Sequence, residues 1–163
     1  MRIIDNEGKI VHASTLQVAG IHGNASDGQA VLFGFASGIL VVEASGEQHL
    51  IEYPASFGTA WIGSIFYAKG ADKFIGYTAS KGAYIIDIDN NQLTPIFETA
   101  ELLDCVKDMK GESVILTERN GTLSHYNLMA GTLIQQKNAF DAIAADTKNN
   151  VSVKASSRYI YLL

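Results

Sequence analysis

The chain has 163 residues, 47% of them hydrophobic and 18% charged, with a formal net charge of −5 and one cysteine, Cys105. These figures exclude a disordered polar chain and a disulfide-stapled scaffold, and an acidic balance without a basic run argues against nucleic acid as a partner. The length suits one domain, residues 1–163, with enough apolar content to bury a core.

No window reaches the ~20 apolar residues of a spanning helix, so no membrane partner is expected. Met1-Arg2-Ile3-Ile4-Asp5-Asn6-Glu7 has no apolar core of a secretory leader. With Met1 as the native start, the expected compartment is the cytoplasm; for a fragment of a longer protein the compartment is unknown.

In chain order, the first apolar run is Met1–Asp5, followed by the turn Asn6-Glu7-Gly8. The next unit carries the turn Ser26-Asp27-Gly28, the run Ile39–Val42 after Ser37-Gly38, and the turn Ser45-Gly46. A third unit runs from Ile62–Tyr67 through Lys73–Thr78 and Ala83–Ile88 to Leu93–Phe97, with turns at Lys69–Asp72, Lys81-Gly82 and Asn90-Asn91. A fourth has Thr122–Tyr126 after Asn120-Gly121 and a turn at Ala130-Gly131. The last run, Arg158–Tyr161, follows Ser156-Ser157 and reads as the same third strand again.

Both turn series recur every ~40 residues, the mark of a repeat architecture. Gly, Asn and Asp at the turns fit tight hairpins that need positive φ; Pro95 falls in a fourth strand and Pro54 closes the one before it, an edge position that tolerates a residue that cannot donate. The expected units are 1–15 (partial), 16–55, 60–98, 100–138 and 140–163 (partial), or 2 + 4 + 4 + 4 + 3 strands. A helical alternative exists for Glu98–Lys110, where Leu102, Leu103, Val106 and Met109 recur at helical spacing, and for the alanine-rich Ala139–Asp146; in the repeat reading both are inner strands.

Four antiparallel strands per ~40 residues with a Ser-Asp-Gly turn near the first hairpin resemble an irregular β-propeller without the Gly-His and Trp-Asp signatures of WD40 repeats. The fold expected is all-β and propeller-like, with about four four-stranded blades forming a half-propeller or a small ring. The segment from Ile21-His22-Gly23 to Gly34–Val41 also resembles one blade of the periplasmic zinc-metallochaperone propellers, a resemblance that carries over only His22 as a ligand.

Chemical motifs are few. Phosphate-cradling glycine loops, a nucleophile elbow and paired His or Cys spacings are absent from the sequence. Counting nine residues back from Val31 and from Val114 reaches His22 and Cys105 on matched inner strands, a candidate zinc pair set against a solvated histidine and a packed thiol. Asp104, Asp108, Asp141 and Asp146 recur on inner segments as carboxylates that could bind a cation, or as solvated turn residues.

The loops on one face collect Trp61, Lys81, Glu101, Arg119 and Arg158, a candidate rim on which Trp and Arg are the residue types that anchor a partner. The function expected is a non-catalytic binding or assembly module without a cofactor, whose partner is a second copy or another protein. The alternative is a metal-handling, zinc-binding propeller.

Overall fold

The computed structural model describes residues 2–13, 16, 18, 20–144 and 151–163. They form sixteen strands in five antiparallel sheets. β1 (Arg2–Ile4) pairs with β2 (Ile10–Ala13). Three sheets of four strands follow, each strand beside its neighbour in sequence. The first is β3 (His22–Ser26), β4 (Ala30–Phe35), β5 (Gly38–Glu43) and β6 (Gln48–Glu52). The second is β7 (Ser64–Ala68), β8 (Lys73–Thr78), β9 (Gly82–Asp87) and β10 (Gln92–Phe97). The third is β11 (Leu102–Lys107), β12 (Ser113–Glu118), β13 (Thr122–Asn127) and β14 (Thr132–Asn138), and a last pair joins β15 (Val153–Ala155) to β16 (Ile160–Leu162). The protein is therefore all-β and propeller-like. Leu102–Lys107 is a strand, so the helical alternative fails there. No helix among the described residues is long and apolar enough to cross a membrane.

Burial explains why each run is a strand in its place. The central strand β5 is buried at five of six positions, as a strand with both faces covered must be, and it reads as the continuous run Gly38-Ile39-Leu40-Val41-Val42. The outermost strand β14 is exposed at all seven positions. Pro95 lies on the outer strand β10, facing Tyr84, where a missing N–H costs no ladder bond.

Apolar layers lie between successive sheets. Leu32, Ile39, Val41 and Ile51 meet Ile62, Phe74 and Ile86 between the first two four-stranded sheets. Ala68, Ile75 and Ala83 meet Leu102, Val114 and Leu116 between the second and third. Ile3 packs on Leu40 and Val42 at one end, and Ile115 and Leu123 pack on Val153 at the other.

The glycine rhythm has a steric cause. A Cβ at Gly38, Gly82 or Gly121 would collide with a carbonyl oxygen in or just after the fourth strand, that of Ile51, Phe97 or Phe140 respectively. Gly82 and Gly121 also hold φ of 98° and 91°, the region that only glycine enters freely.

The last sheet departs from the expected count. Residues 139–144 are not in a strand, and Asp146 lies outside the described residues, so the inner strand expected over Ala139–Asp146 is not found there. β15 lies against β11 and β12 as β7 lies against β3 and β4, which gives β15 the inner place and β16 the second. Arg158–Tyr161 is thus no third strand: Ser157 sits in the hairpin between first and second strands and has no fourth strand beside it among the described residues. Among the described residues the strand count is 2 + 4 + 4 + 4 + 2.

Candidate functional site

The face carrying the β8–β9 and β12–β13 turns also carries the connections between sheets. The first connection, residues 53–63, is built from stacked rings: Tyr53 on Phe57 at 4.9 Å and Phe57 on Tyr84 at 5.2 Å. Ile62 N donates to Tyr53 Oη at 3.0 Å, and burial pushes the Tyr53 phenol up to about 12. This scaffold presents Trp61, half-buried, with its ring over the backbone of Gly63 and its centroid 4.4 Å from the imidazole of His22.

Beside Trp61 lies an open groove of about 600 Å³, with Ser64, Tyr77, Thr78, Ser80 and Leu103 on its walls. Among the described residues its lining is apolar and neutral-polar, with no charged side chain. Tyr77 Oη donates to Asp104 Oδ1 at 3.0 Å. Burial, opposed by a hydrogen bond with Ser64 and assisted by the charge of Asp104, pushes the Tyr77 phenol up to about 12. The other oxygen of Asp104 accepts from Val153 N at 2.8 Å and from Ser152 Oγ at 3.3 Å. Asp104 is thus a tie between the third and last sheets, not a solvated funnel residue.

The expected rim residues separate. Trp61 lines the groove. Lys81 Nζ donates to Ser56 O at 2.7 Å, and Arg119 Nε pairs with Glu101 Oε2 at 3.3 Å while its guanidinium also donates to Ala144 O. These three charged residues hold neighbouring connections together. Arg158 lies on the opposite face, in the β15–β16 hairpin beside Asp108, Met109 and Lys110 of the β11–β12 hairpin.

His22 and Cys105 are not brought together. The hairpin between Ser26 and Val31 has four residues and that between Lys107 and Val114 has six, so counting back nine reaches different levels. His22, Ser64 and Asp104 share the equivalent place: their partners Gly34, Tyr77 and Thr117 pair in turn with Ile39, Ala83 and Leu123. Cys105 packs with Ala68, Leu102 and Leu116, and burial, with the Asp104 charge adding, pushes its thiol far above the usual thiol range. A thiolate ligand is therefore opposed by its surroundings. Among the described residues no three His, Cys, Asp or Glu side chains converge as a metal site requires. The described residues do not fit a zinc centre.

Sequence reasoning overlooked Tyr77, Ser64 and Asp104 as a connected set. The signal available was positional: each of Tyr77 and Ser64 lies at the turn end of its strand, but their linkage to Asp104 crosses between sheets.

No protein-family model and no curated protein matches the chain. Among solved structures it is similar to apo AztD from Citrobacter koseri, with TM-score 0.76 and 18% identity over 99% of this chain and 45% of that one. It is also similar to the computationally designed proteins Ika8 (TM-score 0.61, 13% identity, 91% of this chain and 46% of that) and Ika4 (TM-score 0.62, 12% identity, 96% and 98%). The chain thus spans under half the length of AztD. At these identities the likeness establishes the fold.

Proposed function

We propose that the protein is a non-catalytic binding module that captures a neutral, partly apolar peptide segment of a protein partner in the groove beside Trp61. One observation carries this reading: a single indole, set 4.4 Å from the imidazole of His22, borders a groove rimmed by hydroxyls of Ser64, Thr78 and Ser80 and lined, among the described residues, by no charged side chain. An aromatic edge supplies contact area at low entropic cost, and the hydroxyls offer donors and acceptors to a peptide backbone. The described charged residue bonded to a groove side chain, Asp104, is already engaged by Tyr77, Ser152 and Val153, which favours an uncharged ligand. A metal-handling role finds no support in the donor set of the described residues.

Trp61 is the only tryptophan, so its fluorescence reports occupancy directly. Peptides selected from a displayed random library on the intact protein are expected to shift that emission on titration. Trp61→Ala, with an unchanged circular dichroism spectrum, is expected to weaken the same peptides by roughly tenfold or more. Equal enrichment on the wild type and on Trp61→Ala would overturn the reading.

A further inference from the structure

The first and last sheets are complementary halves of one four-stranded unit. β15 and β16 hold first and second places, as shown by the packing of β15 on β11 and β12. β1 and β2 hold third and fourth places. Their turn repeats the one between β5 and β6 bond for bond: Asp5 N to Lys9 O and Gly8 N to Asp5 O, against Glu43 N to Glu47 O and Gly46 N to Glu43 O. The outer edge of β16 and the inner edge of β1 have no strand beside them among the described residues. Such edges invite strand addition.

Exposed apolar side chains concentrate at these same ends. Of the thirteen large exposed hydrophobic residues described, seven are in the two hairpins: Ile4, Ile10 and Val11 at one end, Tyr159, Ile160, Tyr161 and Leu163 at the other. We propose that β16 of one copy pairs with β1 of a second copy, and reciprocally, so that two chains complete two four-stranded sheets and close one larger propeller. The sheet β3–β6 supplies the register. Val31 follows the four-residue turn after Ser26 and pairs with Val42, just before Glu43. Ile160 follows the four-residue turn after Ala155, and Ile4 just precedes Asp5, so Ile160 faces Ile4 and Tyr161 faces Ile3.

Charge agrees with this register. Turns between first and second strands share an end with turns between third and fourth, as Asp72 and Lys73 do with Asp87 and Asp89. Arg158 in the β15–β16 turn therefore meets the turn of the second copy that carries Asp5 and Glu7. The exposed apolar side chains on the two pairing strands, Ile4 on one and Ile160 and Tyr161 on the other, supply apolar contact at each junction. The fold also extends, in AztD, over a chain about twice as long, with a higher TM-score than for Ika4, which is matched nearly end to end.

The test uses the whole chain. Ile4→Cys and Ile160→Cys are made as separate variants, mixed, and oxidised with oxidised glutathione; Cys105 is buried and stays silent. A disulfide-linked dimer from the mixture, and from neither variant alone, is the expected result. Light scattering on the wild-type chain is expected to give twice the chain mass at micromolar concentration, and Arg158→Glu to weaken association roughly two- to fivefold. A wild-type chain that stays monomeric overturns the proposal. So does a double variant Ile4→Cys/Ile160→Cys that closes its disulfide within one chain.

Discussion

The sheet β7–β10 and the hairpin β15–β16 are made of similar residues yet stand on different footings. The four-stranded sheet has an apolar layer on each face, one shared with the β3–β6 sheet and one with the β11–β14 sheet. The hairpin has one covered face, through Val153 and Leu162 against Ile115 and Leu123, while Tyr159, Ile160 and Tyr161 stay exposed. What the hairpin lacks in apolar cover is partly met by polar bonds, chiefly the Asp104 carboxylate on Val153 N and Ser152 Oγ. A sheet in this architecture is stabilised by its two neighbours, so a sheet with one neighbour depends on a small number of directional contacts.

The largest blow to the complete sheets comes from Leu116→Ala. This side chain is fully buried between sheets, and its truncation is expected to cost about 2–5 kcal/mol in denaturant unfolding. Asp104→Ala acts on the other side of the comparison. It leaves Val153 N without its partner, with an expected cost of about 1–3 kcal/mol. Hydrogen exchange should quicken at residues 153–162 while β7–β10 keeps its protection; uniform quickening would show that the hairpin is no separate unit.

A third effect is pH dependence. The folded phenols of Tyr53, Tyr77 and Tyr84 sit at about 12, against 10.0 for the free group. The folded state keeps protons that the unfolded chain has already lost, so unfolding is favoured as pH rises. This contribution is intact below pH 10.0 and is lost towards about 12, and thermal unfolding across that window should show a falling midpoint. Tyr77→Phe should flatten part of the decline. Smallest of all is Ile134→Thr on the exposed strand β14, expected within about 0.5 kcal/mol of wild type.

Much of the architecture was legible from residue order. The strands β4–β5, β8–β10 and β12–β13 fall where apolar runs meet Gly and Asn turns, since tight turns and alternating burial are local properties. The groove beside Trp61 was legible only as one tryptophan in a loop. Tyr77 and Asp104 were missed as a pair because the bond between them spans 27 positions and two sheets.

Local chemistry, then, was enough for the strands, the turns and the ~40-residue rhythm, because each rests on the backbone preferences of a few adjacent residues. Long-range pairing settled the rest. The bulges between His22 and Asn24 and between Leu102 and Asp104, with hairpins of unequal length, put Asp104 at the level of His22 and Cys105 into the apolar layer. Packing on β11 made the last hairpin an inner pair and carried Arg158 to the opposite face. Register is set by which faces must be buried together, and that requirement exists only once the sheets meet.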